Sequence, residues 1–479
     1  MSSPQPDRPS RRALHRRLRR PIRGWVPVVA TLGLTAALLP AAGPAAATLG
    51  DTLFPGQGNA GYEVRHYDVD LTYAPDTNHL DAVTHLRARA FTELASFHLD
   101  LEGLTVEAVT VDGTDATWTR QGHELVVTPA TAVARGRFDV TVTYSGTPLE
   151  HTDPDGSTEG WVRSDTGDGA TALGEPVGTM TWVPSDNTPG DKATWTFDIT
   201  VPDGTEAAAN GDLVSHDSDG ASTTWTWVQD VPMATYLATV AIGQFDMAET
   251  TMTSIRGGEI PIWSFVDPTV GSTADAQALL PKVIRFEERR FGPYPGTSAG
   301  MIVDDVDVGY ALETQDRPFY PYGLGTGALV HETAHQWYGD SVTLTDWHDI
   351  WLAEGFATYA QWLWDSAHGG ASPAARFRAL YAKPASSSLW HPAPVKFTDP
   401  ADLFGAPSYQ RGAMTLQALR ARVGGEDFSR ILRRWATEHR DGNVRTHQFE
   451  ALAEQVSGRR HLDGLFDDWL RLDGKPRGY

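Results

Sequence analysis

Two histidines four residues apart carry the clearest chemical signal in the sequence. His331, Glu332 and His335 lie in the segment from Ala328 to Asp340, whose apolar residues are typical of a buried helix. Positions four apart on an α-helix differ by about 40° around the axis, so both imidazoles project from one face. That arrangement suits a single zinc ion, and it places Glu332 to act as a base on a metal-bound water.

A third ligand is predicted further along the chain. Glu354 is separated from His335 by eighteen residues and lies in the run Trp351 to Tyr359, which has helical character. Two histidines and one glutamate would leave a fourth position on zinc for water. The alternative is that Glu354 is an exposed or salt-bridged helix carboxylate, but the apolar residues around it disfavour a solvated face.

The composition limits the classes of protein to consider. The chain has 479 residues, of which 41% are hydrophobic and 21% are charged, so it is long and apolar enough for two or three folded domains. Its formal net charge of -22 disfavours the basic surface of a nucleic-acid-binding protein, and we predict no nucleic-acid partner. Because cysteine is absent, a metal must be bound by histidine and carboxylate side chains.

The N-terminal segment is typical of an export signal. Arginines are frequent between Arg8 and Arg23, an apolar run follows from Trp25 to Ala42, and small residues end at Ala47. We therefore predict a signal peptide at residues 1–47, cleavage near Ala47, and a secreted protein without a stable membrane partner. The alternative is an uncleaved anchor helix, since the apolar run approaches the roughly 20 residues that a membrane span needs.

The remaining sequence changes in pattern near residue 250. Before it, apolar residues alternate with polar ones, as in the segment from Tyr67 to Tyr73, and turn residues separate short runs. After it, helical periodicity is found in Ala276 to Arg290, Ala328 to Tyr338 and Ile350 to His368. These patterns predict an α+β multidomain protein, with an all-β domain of sandwich or saddle-like form at residues 48–248 and a mainly helical domain at residues 249–479.

The spacing of the two histidines and Glu354 resembles that of the gluzincin metallopeptidases of the aminopeptidase N family. The segment Gly309 to Gln315 is similar to the family's Gly-Ala-Met-Glu-Asn exopeptidase motif, and Tyr409 to Ala413 is similar to the segment that carries its catalytic tyrosine. The resemblance extends from about Tyr62 to Pro476. It implies that the helical domain is a thermolysin-like zinc peptidase domain.

The resemblance also implies a role for each residue of the zinc site. One Zn²⁺, bound by His331, His335 and Glu354, would polarise the scissile carbonyl and lower the pKa of its bound water to about 7. Glu332 would take the proton from that water and pass it to the leaving amine. Tyr409 would donate a hydrogen bond to the oxyanion, although without the resemblance the sequence around it better fits an ordinary core tyrosine.

Glu313 is implied to recognise the substrate's free amino terminus. An α-amino group is largely protonated at pH 7, so a carboxylate at the end of the cleft can pair with it and limit how far the peptide enters. Ala311, Gln315 and Glu175 are further candidates for substrate binding. We therefore predict a secreted zinc aminopeptidase that acts on peptides with a free N-terminus; the sequence does not indicate an oligomeric state.

Two departures from the family pattern leave alternatives open. Tyr310 stands where the family has the first glycine of its exopeptidase motif, and Thr314 stands where it has asparagine. The chain stops roughly 70 residues after Tyr409, so the large C-terminal helical domain of longer members is expected to be missing. The alternatives are an exported zinc endopeptidase with altered end-specificity and a non-catalytic peptide-binding module on the same scaffold.

Overall fold

The computed structural model describes residues 51, 53–459 and 461–479. The signal peptide predicted at residues 1–47 lies outside this range. Strands dominate the chain up to residue 266, and most of the helical residues follow, which is the predicted α+β organisation. Within the described residues, no helix is both long enough and apolar enough to cross a membrane.

The first part of the chain is built from short strands. Their bounds are β1 (Tyr62–Ala74), β2 (His79–Ala90), β3 (Phe97–Asp100), β4 (Thr105–Val111), β5 (Thr114–Asp115), β6 (Thr117–Gln121), β7 (Glu124–Thr128), β8 (Gly136–Gly146), β9 (Glu150–Thr152), β10 (Thr158–Arg163), β11 (Ala170–Leu173), β12 (Lys192–Pro202), β13 (Glu206–Ala209), β14 (Asp212–Ser218), β15 (Ser222–Ala234) and β16 (Val240–Gly243). They form sheets of eight, five and three strands.

The eight-stranded sheet has the order β14-β15-β12-β1-β2-β8-β4-β5. Its central strand β1 pairs antiparallel with β2, where Tyr67 lies opposite Leu86, and parallel with β12, where Tyr67 lies opposite Trp195. In β1, Tyr67, Val69 and the alternate residues beyond them are buried, while the residues between are partly or fully exposed. The predicted period of two is therefore confirmed, and it gives this sheet one buried face.

The five-stranded sheet, of order β13-β16-β11-β10-β9, packs on that buried face. Trp161 on β10 contacts Tyr73 on β1, with ring centroids 5.1 Å apart, and Trp182 lies 6.4 Å from Phe197 on β12. The first contact joins the two sheets as the layers of a sandwich, and the second packs the segment between β11 and β12 on the same face. The three-stranded sheet β3-β7-β6 adds its own apolar side chains to the same core.

The second part combines a small sheet with most of the helices. Its strands are β17 (Asp246–Thr253), β18 (Glu259–Val266), β19 (Ala299–Asp304), β20 (Phe319–Pro321), β21 (Val342–Leu344) and β22 (Gly442–Val444). Its helices are α1 (Ala274–Phe291), α2 (Thr326–His335), α3 (Trp351–Ala367), α4 (Pro373–Tyr381), α5 (Gly412–Val423), α6 (Gly425–Glu438), α7 (Thr446–Ser457) and α8 (Asp463–Phe466). Helices α1, α2 and α3 confirm the three segments predicted from helical periodicity.

The predicted domain boundary between residues 248 and 249 lies inside β17. This strand pairs with β18 along its whole length, and β18 in turn pairs in parallel with β19. Residues 246–248 therefore share a sheet with the second part of the chain. Sequence periodicity did not indicate this, because β17 is mostly exposed and lacks a regular alternation of buried residues.

Candidate active site

The two predicted metal-binding helices pack against each other. Helix α2 presents His331 and His335, whose ring centroids are 4.8 Å apart, and α3 presents Glu354. Oε2 of Glu354 lies 3.0 Å from Nε2 of His331 and 3.5 Å from Nε2 of His335. One oxygen atom therefore faces both imidazoles, which is the arrangement that the sequence predicted.

These three residues fit a tetrahedral metal ion. Ligand atoms bound at about 2.0 to 2.1 Å from one zinc ion are roughly 3.3 Å apart, and the two distances from Glu354 lie on either side of that value. Nε2 of His335 is buried without a hydrogen-bond partner, while Nδ1 lies 3.1 Å from the main-chain oxygen of Tyr338. A metal-binding histidine usually has its second nitrogen fixed in this way.

Burial and the charges of the site give Glu354 and Glu332 very different pKa values. Burial alone would raise the pKa of Glu354, but the charge of His335 and the hydrogen bond with His331 lower it to about 2. Burial raises the pKa of Glu332 to about 7 against the opposing charges of the two histidines. Glu354 is therefore anionic, as a metal ligand must be, whereas Glu332 can exchange a proton near neutral pH, as a general base must.

A contact between two glycines brings α3 close to the segment that contains Tyr409. A methyl group on Gly355 would lie only 2.8 Å from the main chain of Gly412, and a methyl group on Gly412 would be equally close to Gly355. Gly355 directly follows Glu354, and Gly412 begins α5 after the π-helical turn Pro407–Arg411. The absence of both side chains thus allows this turn to approach the metal ligands.

Tyr409 contributes a neutral donor to the site. Its ring is half-buried and stacks at 5.9 Å from the ring of His331, at an interplanar angle of 20°. Burial, with the charges of Glu354, Glu175 and Glu313, raises the pKa of Tyr409 well above its ordinary value of 10. The phenol therefore keeps its proton at neutral pH and can donate a hydrogen bond to an oxyanion.

Glu313 is held next to the metal ligands by its own loop and by α2. Its neighbour Leu312 forms two main-chain hydrogen bonds with Phe319, of 3.0 and 2.7 Å, and Nε2 of Gln336 donates to the main-chain oxygen of Glu313 at 3.3 Å. Oε1 of Glu313 lies 3.7 Å from Nδ1 of His335 and accepts no hydrogen bond. A buried acceptor without a partner indicates space for a ligand's donor.

A cavity of about 410 Å³ connects these residues. It is lined by Asp155, Ser157, Glu175, Val308, Gly309, Tyr310, Ala311, Glu313, His331, Glu332, His335, Glu354, Phe404 and Tyr409. Eight of the nine predicted site residues lie in its wall, and Gln315 is the exception. The main chain of Gln315 bonds to Leu237 and Asn210 in the β-rich part, with N···O distances of 3.4 and 2.8 Å, and its side chain is buried outside the cavity.

The remaining wall residues were not predicted as site residues. Asp155 and Ser157 come from the turn between β9 and β10, so the β-rich part closes one side of the cavity. Tyr310, which differs from the family pattern, donates a hydrogen bond of 2.7 Å to the main-chain oxygen of Thr158 in that region. The sequence from Thr152 to Gly174 is rich in Asp, Gly, Ser and Thr and predicts a long loop, whereas the structure places β10 and β11 within it. Nothing in that sequence indicates that residues 155–157 reach the predicted metal ligands.

Known proteins of similar sequence are peptidases of family M1. The peptidase M1 N-terminal domain matches residues 63–237, and the peptidase family M1 domain matches residues 326–469. Human glutamyl aminopeptidase is 28% identical over 329 residues, which are 63% of this chain and 34% of that protein. Aminopeptidase N of Streptomyces lividans is 25% identical over 60% of this chain and 36% of its own length. The chain thus spans about a third of these relatives.

Solved structures resemble the chain over a larger share of their length. An M1 zinc metallopeptidase mutant from Deinococcus radiodurans, bound to a Tyr-Ser-Ala substrate, is 29% identical, with a TM-score of 0.80 over 89% of this chain and 99% of that one. A two-domain M1 zinc metallopeptidase mutant bound to L-arginine is 30% identical over 85% and 96% of the two chains, with a TM-score of 0.76. The chain therefore belongs to peptidase family M1, a family of zinc metallopeptidases.

Proposed function

We propose that the protein is a secreted zinc-dependent aminopeptidase, which removes N-terminal residues from peptides by means of metal-activated water. The observation that carries this proposal is the position of Glu313 and Glu175, two buried carboxylates that line the same cavity as the metal ligands. Neither is required to bind the metal or to act as the base. Both have a carboxylate oxygen without a hydrogen-bond partner.

The charge of the cavity favours a cationic group. Burial, and then repulsion from the charges of Glu313 and Glu354, raise the pKa of Glu175 well above its ordinary value. None of the described residues that line the cavity is lysine or arginine. A peptide's α-ammonium group would relieve that repulsion, and an acetylated N-terminus would not.

The side chains can be assigned to the steps of peptide hydrolysis. Zinc, held by His331, His335 and Glu354, would supply the Lewis acid that polarises the carbonyl and activates the attacking water. Glu332 accepts the water's proton and delivers it to the leaving amine. Tyr409 donates its hydroxyl hydrogen bond to the oxyanion, and the peptide is positioned through its N-terminus.

The test uses one aminoacyl fluorogenic amide in free and N-acetylated forms, with purified protein that begins at Thr48. We expect hydrolysis of the free form alone, loss of the activity with a zinc chelator, and its return with added Zn²⁺. Equal hydrolysis of both forms would contradict recognition of the free amino group. No hydrolysis across a panel of aminoacyl amides by zinc-loaded protein would favour the peptide-binding module.

Secretion is proposed from the N-terminal segment alone. The arginine-rich start, the apolar run and the small residues before Thr48 support an export signal that is removed near Ala47. N-terminal sequencing of protein from the culture medium of the producing cell would test this, with a start at or near Thr48 as the expected result. Retention of the full chain in the membrane fraction would instead support the uncleaved anchor.

A further inference from the structure

A second group of potential metal ligands lies at the turn between β9 and β10. His151 is on β9, Glu159 is on β10, and Asp153 lies between them at the start of the turn. One possible ligand atom from each of the three residues lies within 4.8 Å of the other two. None of the three belongs to the zinc site or lines the catalytic cavity.

Asp153 is the residue that points to a missing ligand. It is only 6% exposed, and neither of its carboxylate oxygens accepts a hydrogen bond from a donor group; they face the carboxylate of Glu159 instead. Its main-chain groups, by contrast, bond within the turn to Ser157 and Gly156, at 2.9 and 2.8 Å. A buried carboxylate with both oxygens unpaired is costly, and such groups are usually paired or coordinated to a metal.

Its two neighbours are arranged as metal ligands. Glu159 is fully buried, and both of its oxygens lie 3.2 Å from the main-chain nitrogen of Val177, with the main chain of Gly178 also close, which leaves part of their acceptor capacity unused. Nδ1 of His151 lies 3.0 Å from Oε2 of Glu102. A carboxylate on one ring nitrogen is the usual support for a histidine whose other nitrogen binds a metal.

We propose that His151, Asp153 and Glu159 form a second metal site, distinct from the catalytic one, that binds a divalent transition metal. One imidazole and two carboxylates are a donor set suited to Zn²⁺ or Mn²⁺. Ca²⁺ and Mg²⁺ prefer sites made of oxygen ligands alone, so the imidazole disfavours them.

The proposed metal site lies beside the catalytic cavity, in the turn that forms part of the cavity wall. Asp155 and Ser157, which line the cavity, lie in the turn that the metal would close. Glu159 also contacts Val177, two residues after the cavity residue Glu175, and Tyr310 bonds to the main chain of Thr158. A metal bound here would therefore fix the β-rich side of the cavity without touching the substrate.

The metal content of the purified protein tests the proposal. After equilibration with buffered Zn²⁺, or with Mn²⁺ in a separate sample, we expect about two metal ions per chain in the unaltered protein and about one in Asp153→Asn. Asp155→Asn is the matched control, because it removes a carboxylate from the same turn but not from the cluster, and it should keep about two. One ion per chain in the unaltered protein, or an unchanged count in Asp153→Asn, would overturn the proposal.

A second measurement covers the case in which Asp153→Asn does not fold. Unaltered protein with zinc in the catalytic site is titrated with Mn²⁺ and followed by electron paramagnetic resonance. Loss of the free Mn²⁺ signal up to about one equivalent, with a rise in the thermal midpoint, supports the site. A free signal that grows from the first addition would show that the cluster binds no metal, and the proposal would be wrong.

Discussion

Arg411 is predicted to position Tyr409, two residues before it in the same π-helical turn. The guanidinium is fully buried and donates to four main-chain oxygens, those of Trp390, Asp468, Trp469 and Leu472, at distances between 2.6 and 3.1 Å. Burial lowers the pKa of Arg411 to about 10, so the side chain is still charged at neutral pH. It thereby fastens the turn to the C-terminal segment of the chain.

The cost of removing this side chain follows from the acceptors it would leave. Arg411→Met fills a similar volume but donates no hydrogen bond. All four oxygens would lose the bond from Arg411, but that of Trp390 would keep a bond of 3.1 Å from the main-chain nitrogen of Gly474, so up to three would be left unpaired. At about 1 to 1.5 kcal/mol for each buried acceptor left unpaired, the free energy of unfolding should fall by about 3 to 5 kcal/mol. Arg411→Lys keeps the charge but not the planar fork, and should cost about half as much.

The effect on catalysis distinguishes positioning from simple destabilisation. A missing oxyanion donor lowers kcat by about 100- to 1000-fold. Arg411→Lys should only displace Tyr409, so in folded protein we expect kcat to fall by about tenfold. KM should remain nearly unchanged, because Tyr409 contacts the oxyanion and not the bound substrate. In a Tyr409→Phe background, the same substitution should lower kcat no further. An equal loss of kcat in both backgrounds would show that Arg411 does not act through Tyr409, and an unfolding free energy unchanged by Arg411→Met would show that its hydrogen bonds do not stabilise the fold.

Three further substitutions test other parts of the account. Glu332→Gln should retain zinc by elemental analysis yet lose most of its kcat, because an amide cannot accept the water's proton; near-normal turnover with bound zinc would exclude the base assignment. Glu313→Gln should reduce the preference for free over acetylated substrates by at least about tenfold in kcat/KM, and an unchanged ratio would contradict its role. Gly355→Ala should lower the free energy of unfolding by about 1 to 3 kcal/mol through its contact with Gly412, as followed by urea denaturation. Gly327→Ala on α2 is its control, because that methyl group would meet only the flexible end of Gln361, at 3.7 Å. An equally large fall in the free energy of unfolding for Gly327→Ala would show that the contact between Gly355 and Gly412 is not the cause.

The shared face of the two proposed zinc ligands on α2 could be predicted from sequence because their geometry is local. Helical periodicity alone determines that His331 and His335 share a face, and the helix confirms it. Glu354 lies on another helix, and its distance to the histidines depends on how α2 and α3 pack. The apolar residues around Glu354 indicated a buried carboxylate, and the family resemblance supported its role, since the spacing of eighteen residues alone does not determine a distance in space.

The parts of the cavity that were missed depend on contacts between distant segments. Asp155 and Ser157 reach it because the β9–β10 turn packs beside the loop of Tyr310, and a single sequence contains no signal for that pairing. The close contact between Gly355 and Gly412 likewise cannot be predicted from one sequence, because it depends on how the two helices pack. Gln315 shows the opposite error: it is near Glu313 in sequence, but its main chain bonds to the β-rich part and carries the side chain away from the cavity.

The most direct test of aminopeptidase function follows one unlabelled peptide, in free and N-acetylated forms, by mass spectrometry with and without a zinc chelator. We predict stepwise loss of N-terminal residues from the free peptide only, and no products when the chelator is present. Internal cleavage of both forms would contradict the role of Glu313 and Glu175 and would identify an endopeptidase instead.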